Sequence, residues 1–369
     1  MNQTKKVELI ELFYDLIYVY AISRLSLFVE GDGTGAFVPS FFRYIIYCLV
    51  ILQSWLYLTN YVNRYGKWHY HEIIIAAINM IAVLYMSNTI AAENTNIGIA
   101  FNLSMVITLL CVLILYIIVY IKKEEDISAA KNSILQLSIT IFLYILAFIF
   151  SNLKSRELPV LLDLTAVMVG AFLPFFLKGN FEAKIINFSH LRERFELLTI
   201  VSFGDSIVAI SEFFNIEKFT FLPTAIFIII FLLFISYITQ VHYLVNDKIV
   251  DRALRLMFTH YFIVIAINML TISFKFILNN SDEHLFIAIH SLFAIVMFYI
   301  SIYLNSKYYR EGITFTKIDL IIFILSIVAS VIVLIIYIEP IWGFIAGMYV
   351  LIIPNLYMIM RKLKDAHIV

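Results

Sequence analysis

The sequence has few charged residues for its length. Only 14% of its 369 residues are Asp, Glu, Lys or Arg, against about 25% in an average soluble domain, and 62% are hydrophobic. With a mean hydropathy of +0.94, the chain cannot cover itself with a surface that water solvates, which excludes a soluble globular protein. The formal net charge is zero and no basic block occurs, so we expect no nucleic-acid partner.

Cysteines and catalytic motifs are also scarce. Cys48 and Cys111 both lie inside apolar runs, which favours small buried side chains over a disulfide or a metal pair. No G-x-S-x-G, Walker, H-E-x-x-H or C-x-x-C motif occurs, and no polar loop is long enough for a soluble catalytic domain. We therefore predict no catalytic residue, no cofactor and no metal site, and the question of an enzymatic activity stays open. Glu8, Glu11 and Asp15 interrupt what would be the apolar part of a signal peptide, so we expect the N-terminus to be retained.

The sequence is rich in long apolar runs, which predict membrane-spanning helices. An α-helix rises 1.5 Å per residue, so about 20 apolar residues cross the roughly 30 Å hydrocarbon core of a bilayer. The strands of a membrane β-barrel would be about 10 residues of alternating polarity, which these runs are not. The first and seventh spans carry so much charge that hydropathy alone would miss them. The predicted spans lie near residues 9–29, 37–62, 71–92, 96–121, 129–153, 157–178, 193–214, 219–245, 253–278, 284–305, 317–338 and 340–360.

Lysines and arginines are concentrated in alternate loops, which all lie on one side of this arrangement. Of the 26 lysines and arginines, twenty fall in segments on one side, four on the other side and two inside spans. Because cytoplasmic loops of membrane proteins are enriched in Lys and Arg, both termini are predicted to lie in the cytoplasm. Trp55 and Trp68, near one end of the second span, are interpreted as interface anchors.

The six prolines indicate an internal repeat. They fall into three pairs whose members are 184, 181 and 180 residues apart: Pro39 and Pro223, Pro159 and Pro340, and Pro174 and Pro354. The segments "FYDLI" and "FGDSI" also correspond, which aligns Asp15 with Asp205. We predict an all-α polytopic membrane protein of two parallel six-helix repeats, residues 1–180 and 181–369, in one integrated membrane domain. Parallel repeats are related by an axis along the membrane normal.

Ionisable residues inside membrane spans are functional candidates by default. Asp205 lies about ten residues into the seventh span, roughly 15 Å deep at helical rise. Ser202 and Glu212 share its helix face, and Gly204 would let another backbone approach closely. With Asp15 in the first span, these three polar residues form the predicted ion or substrate pathway. The alternative is a packing hydrogen bond for Asp205 and an interfacial position for Glu212.

A second group of charges is predicted at the cytoplasmic interface. His190, Glu193 and Arg194 share a face at the start of the seventh span, and Glu11 is expected to be a solvated charge at the start of the first. A histidine and a carboxylate three residues apart can ligate a metal, but Arg194 on the same face opposes a cation, which favours an interfacial salt-bridge network. Five scattered residues are interpreted as packing or interface residues rather than proton relays: Asp163, His242, His260, Lys275 and His290.

Two of these segments carry a family resemblance. The run "ELFYDLIYVYAI" at Glu11–Ile22 resembles the first helix of the bacterial low-temperature-requirement A (LtrA) family. A second family signature, H-x-x-E-R followed by G-[ED]-S, is matched by His190, Glu193, Arg194, Gly204, Asp205 and Ser206, with aspartate where glutamate is usual. The resemblance covers the whole chain and implies a bacterial, multi-pass protein of the cytoplasmic (inner) membrane. The family is named for a growth phenotype, so its name implies no reaction.

A weaker similarity concerns the F-x-D segments that open both halves. They resemble the F-S-D helix of two-repeat, twelve-helix potassium channels, in which the first helix of each repeat lines the pore. The arginine that precedes this motif in those channels is missing from both halves here.

These observations leave two functional hypotheses. The favoured one is a channel or secondary transporter that moves a small cation, a proton or a small solute along a path between the repeats. The alternative is a non-transporting membrane protein, either a lipid-acting intramembrane enzyme or a sensor or scaffold for envelope or cold adaptation. The predicted partners are the lipid bilayer and the small ion or solute, with a homodimer left open.

Overall fold

The computed structural model describes residues 5–30, 37–91, 97–123, 127–153, 157–176, 186–217, 219–246, 248–279, 284–337 and 341–365. In these ranges the chain is built of α-helices and contains no strand, and a single isolated β-bridge joins Val245 and Tyr309. The predicted all-α fold is therefore confirmed. The chain forms two compact units, the first comprising Met1–Arg194 with Val250–Arg252 and the second Phe195–Ile249 with Ala253–Val369.

The described residues of the first unit form seven helices and the beginning of an eighth. The seven are α1 (Leu9–Arg24), α2 (Leu27–Glu30), α3 (Phe37–Tyr65), α4 (Tyr70–Ala91), α5 (Ile97–Lys122), α6 (Ile127–Asn152) and α7 (Glu157–Phe176). The helices from α4 to α7 pack in chain order, α1 packs against α3 and α4, and α3 packs against α5 and α7. Helix α8 (Phe188–Ser211) starts in the first unit and continues in the second.

The second unit contains the rest of α8 and five further long helices. These are α9 (Leu222–Ile238), which a π-helix (Thr239–Leu244) extends, α10 (Leu254–Leu278), α11 (His284–Leu304), which a 3₁₀ turn (Asn305–Tyr308) extends, α12 (Lys317–Ile336) and α13 (Ile341–Asp365). Its main packing pairs are α10 with α11, α12 with α13, and α9 with α13.

Ten helices of the described chain, α3–α7 and α9–α13, are long and apolar enough to cross a membrane. This result confirms a multi-pass membrane protein. The two other long helices are α1, which has only 16 residues, and α8, which carries several charges. They correspond to the first and seventh predicted spans, the two that hydropathy alone was expected to miss.

Polar groups inside the first unit are joined to each other across its helices. The Tyr18 hydroxyl lies 2.9 Å from Ser54 Oγ and donates to Asn79 Oδ1 at 3.2 Å. Asn79 Nδ2 donates in turn to the carbonyl oxygen of Thr108 at 2.9 Å. Because lipid offers no hydrogen-bond partner, such a network holds α1, α3, α4 and α5 in one arrangement.

Candidate functional site

Helix α1 directs its acidic residues inward and its apolar residues outward. Glu11 and Asp15 are fully buried, one turn apart on the same face. Phe13, Leu16 and Tyr20 are exposed on the other faces. This arrangement is the reverse of a soluble amphipathic helix and fits a helix with lipid on its outer face.

Arg194 is the partner of both carboxylates. Its side chain comes from the second turn of α8 and is 1% exposed. Nη2 donates to Asp15 Oδ1 at 2.5 Å, Nε donates to Asp15 Oδ2 at 3.2 Å, and Nη1 donates to Glu11 Oε2. The two bonds to Asp15 form the bidentate pairing that a planar guanidinium makes with a carboxylate.

Two tryptophans complete the donors around these carboxylates. Trp55 on α3 is fully buried and donates from Nε1 to Asp15 Oδ1 at 2.7 Å, and its ring centroid lies 5.5 Å from Arg194 Cζ. Trp68, between α3 and α4, donates from Nε1 to Glu11 Oε1 at 3.2 Å. Trp68 has a φ of 55°, an uncommon left-handed conformation for a residue other than glycine. The predicted role of Trp55 as an interface anchor is wrong, since its indole is buried and donates a hydrogen bond to Asp15.

The hydrogen bonds of Asn63 determine the tautomer of His190. The backbone N–H of Asn187 donates to Asn63 Oδ1 at 3.1 Å, and Asn63 Nδ2 donates to the Asn187 carbonyl at 2.9 Å, so the amide orientation is fixed. Asn63 Nδ2 lies 3.1 Å from His190 Nδ1, which must therefore accept. The ring proton is on Nε2, which lies 3.2 Å from Glu11 Oε2. His190 is thus a neutral imidazole in this arrangement.

Together, Glu11, Asp15, Arg194 and His190 form what we call the buried charge cluster. Two carboxylates face one guanidinium and one neutral imidazole, which leaves one negative charge in excess. Lys5 adds a positive charge within electrostatic range of Glu11, and its ammonium donates to the carbonyl oxygens of Val62 and, at 2.8 Å, Gly66. Burial lowers the pKa of Lys5. Among its four members the cluster therefore lacks one positive charge, which Lys5 supplies from outside the group.

The chain matches a known protein family over most of its length. The family model of the bacterial low temperature requirement A protein (LtrA) matches residues 6–353. The chain belongs to the LtrA family. A comparison with curated proteins finds no match.

The two LtrA sequence signatures meet in the buried charge cluster. Glu11 and Asp15 belong to the first signature, and His190 and Arg194 belong to the second. Asp15 and Arg194 are 179 residues apart in the sequence, yet the four residues form one group. Arg194 is hydrogen-bonded to both carboxylates, and His190 Nε2 lies 3.2 Å from Glu11 Oε2. These four signature residues therefore belong to a single site of the folded protein.

The position of this cluster corrects part of the sequence interpretation. Glu11, His190 and Arg194 do associate, as the predicted salt-bridge network requires. They are buried rather than solvated, and the expectation of a solvent-exposed Glu11 is wrong, whereas Glu8 is exposed. Glu193, predicted in the same group, is half-buried. Among the described residues no group of three His, Cys, Asp or Glu side chains is arranged to hold a metal ion.

The predicted pathway residues on and just after α8 differ in how far they are exposed. Ser202 is buried and donates to the carbonyl oxygen of Leu198 at 2.9 Å. Asp205 is half-buried, and Glu212 is exposed beyond the last residue of α8. Gly204 is exposed and has no heavy atom of the described chain within 4 Å of an added Cβ, so no described backbone makes the close approach that a glycine there would allow.

Asn63 and the two tryptophans were not predicted as site residues. Trp55 follows Asp15 by 40 residues and Asn63 precedes His190 by 127, and no local periodicity connects such positions. A tryptophan and an asparagine inside an apolar span are themselves a signal, because a buried indole or amide needs a partner.

Replacing Trp55 with phenylalanine is expected to destabilise the protein by about 1–3 kcal/mol, because Asp15 loses a donor that water cannot replace. Trp342→Phe is the matched control, since Trp342 is 54% exposed and should change stability little. Thermal unfolding of the two purified variants in detergent measures the difference. Equal unfolding midpoints would show that the indole N–H contributes nothing to Asp15.

Proposed function

We propose that this LtrA-family protein is a membrane transport protein for a proton, a small cation or a small solute. The observation that carries the proposal is the buried charge cluster on α1 and α8. Helix α1 is shorter than the candidate spans and α8 is more highly charged, and both supply ionisable side chains to one buried site.

The cost of burying these charges supports a functional role. Replacing a buried ion pair by apolar residues of similar volume is often neutral or stabilising, so stability alone explains such a cluster poorly. Charged groups inside membrane segments also mark pathways and proton relays in most known cases. The α1 carboxylates have well-placed donors in Arg194, Trp55 and Trp68, which makes the site a defined arrangement that a bound cation can perturb.

The chemistry of the cluster suggests how binding is coupled to a change of shape. A proton or a cation on Glu11 or Asp15 removes one of the two negative charges that hold Arg194. On Asp15 it removes the bidentate partner of the guanidinium, and the first turns of α8 lose their strongest attachment to α1. We propose that the loss of this pairing between Arg194 and the carboxylates is the switch. The polar lining of the path consists of Asp15, Ser202, Asp205 and Glu212, the last of which lies just beyond α8.

We also propose the finer topology that the sequence predicts. It has twelve crossings, both termini in the cytoplasm of a bacterial inner membrane, and parallel repeats at 1–180 and 181–369, with a homodimer left open. The charge distribution and the proline pairs support it. In part, so do the helix pairs, since α4–α5, α6–α7 and α3–α7 in the first unit correspond to α10–α11, α12–α13 and α9–α13 in the second. The correspondence is incomplete, because α5–α6 is a major contact and α11–α12 a minor one.

Transport can be tested with Glu11→Gln in proteoliposomes. The variant keeps the size of Glu11 and leaves one carboxylate opposite Arg194, so we expect it to fold. Proton flux, followed with an enclosed pH dye, should fall by roughly two orders of magnitude, the scale of removing a proton-transfer group. Sodium and potassium gradients are imposed in separate experiments with the same variant, to identify a cation that replaces the proton.

Two further variants show whether a change in flux is specific to the buried charge cluster or arises from surface charge or from the α8 pathway. Glu311→Gln removes an exposed carboxylate in a turn and should leave the flux unchanged. Asp205→Asn should reduce the flux if Asp205 lines the path. Wild-type protein that moves neither protons nor either cation, or an unchanged flux in folded Glu11→Gln, would favour the sensor, scaffold or lipid-enzyme alternative.

A further inference from the structure

Asp163 is a buried carboxylate with no hydrogen-bond partner in the described part of the chain. It lies on α7, inside the candidate span Glu157–Pro174, and it is fully buried. Neither Oδ1 nor Oδ2 has a hydrogen-bond donor among the described residues. This environment contrasts with that of Asp15, which accepts bonds from Trp55 and Arg194. The interpretation of Asp163 as an ordinary packing residue does not explain two unsatisfied oxygens in one buried side chain.

The ionisable groups that face Asp163 are phenols. The helices packed against α7 are α3 and α6. Tyr47 of α3 and Tyr144 of α6 are both buried, and both lie within electrostatic range of the Asp163 carboxyl group. On α7 itself, Glu157 is exposed and lies 3.6 Å from Arg43 of α3. No described lysine, arginine or histidine forms an ion pair with Asp163.

An isolated carboxylate in such a place is unfavourable as an anion. Transfer of an unpaired charge from water to an apolar interior costs far more than transfer of a neutral polar group, and a buried group avoids that cost by becoming neutral. A bound proton is the simplest way to neutralise Asp163, since the described residues provide no cation there. The two phenols within electrostatic range have hydroxyl groups that can both donate and accept, although neither is hydrogen-bonded to the carboxyl group of Asp163 in this structure.

We propose that Asp163 is a proton-binding site of the first unit, separate from the buried charge cluster. The proton of Asp163 exchanges through Tyr47 with the side of the membrane on which the Arg43–Glu157 pair lies. Asp163 follows Glu157 by six residues, about 9 Å of helix at 1.5 Å per residue. Tyr47 lies one turn after Arg43 on α3, and it is within electrostatic range of both Arg43 and Asp163. Tyr144 lies instead within range of Asp163 and of Tyr57. Tyr47 is therefore the phenol on the side of the exposed ion pair. The proposal does not depend on transport by the charge cluster.

Infrared spectroscopy of the full-length protein in lipid tests the bound proton. Labelling aspartate with ¹³C at the carboxyl carbon should shift a carbonyl band of a neutral carboxylic acid at neutral pH. That band should be lost in Asp163→Asn, which has nearly the shape of the neutral acid, and retained in Asp319→Asn. Asp319 is the matched control because it is an ion-paired carboxylate, 2.6 Å from Lys362 Nζ. Absence of the band from the wild type, or its persistence in Asp163→Asn, would overturn the proposal.

Exchange into D₂O tests the route. The Asp163 band should shift on deuteration, and Tyr47→Phe should slow this shift by roughly tenfold or more, since it removes the proton-transfer hydroxyl. Tyr144→Phe removes a matched buried phenol and should leave the rate nearly unchanged. Slower exchange in Tyr144→Phe than in Tyr47→Phe would overturn the assignment of Tyr47 as the residue that transfers the proton. A band that never exchanges would identify a structural acid, and a carboxylate band that responds to added Na⁺ or K⁺ would identify a cation site instead.

Discussion

Arg194→Met is expected to destabilise the protein by about 3–5 kcal/mol, the scale of removing one partner of a buried ion pair. Arg194 is 1% exposed and is the guanidinium between Glu11 and Asp15. Methionine fills much of the same volume but leaves two carboxylates close together without a counter-charge. Unfolding of the purified protein in mixed micelles, followed with a denaturing detergent, measures the loss.

Two further variants make this prediction specific to charge. Arg43→Met removes an arginine that is 42% exposed and lies 3.6 Å from Glu157, so it should cost less than about 1 kcal/mol. Combining Arg194→Met with Glu11→Gln and Asp15→Asn removes every charge of the group and should restore much of the lost stability. A triple variant as unstable as Arg194→Met alone would mean that the arginine acts through packing rather than through its charge.

Gly170→Ala is expected to destabilise the protein by about 1–3 kcal/mol, the usual cost of overpacking a buried site. A Cβ at this position of α7 would lie 2.1 Å from the Tyr57 hydroxyl oxygen and 3.2 Å from Gln53 Nε2. The same glycine accepts a hydrogen bond through its carbonyl from Gln136 Nε2 at 2.7 Å, so α6 and α7 have little freedom to separate. The unfolding midpoint of the purified variant measures the effect.

Gly204→Ala is the matched control within a helix. No heavy atom of the described chain lies within 4 Å of its added Cβ, and alanine favours the helix by up to about 1 kcal/mol over glycine. We therefore expect unchanged or increased stability. Adding Tyr57→Phe to Gly170→Ala should recover part of the loss by removing the nearest atom. Equal behaviour of the two glycine variants would show that the packing around Tyr57 and Gly170 adapts without cost.

Much of the architecture follows from features that act locally along the chain. The length of each apolar run predicts a membrane helix, because crossing the bilayer needs about 20 residues. The i, i+3 and i+4 spacing places Glu11 and Asp15 on one face of α1, and the two signatures identify the LtrA family.

The candidate site could be predicted only in part. The sequence indicates His190 and Arg194 as a charged group at the start of α8, but it suggests an interfacial position for them and does not connect them to Asp15. Pairing between helices depends on side-chain contacts over 179 residues of separation, which no periodicity encodes. The environment of Gly204 is likewise a property of the neighbouring helices, and the same residue type is tightly enclosed at Gly170.

The membrane class, the helical fold, the family and the ionisable residues within the spans can therefore be read from the amino-acid sequence alone. These properties depend on composition and on distances along one helix, where the covalent chain sets the geometry. Which of these charges are neutralised depends on contacts between helices. The fold places Arg194 between Glu11 and Asp15, and among the described residues it provides no donor for Asp163. The physical reason is that the free energy of a buried charge depends on its neighbours within a few ångströms, and in a helical membrane protein most of those neighbours come from other helices.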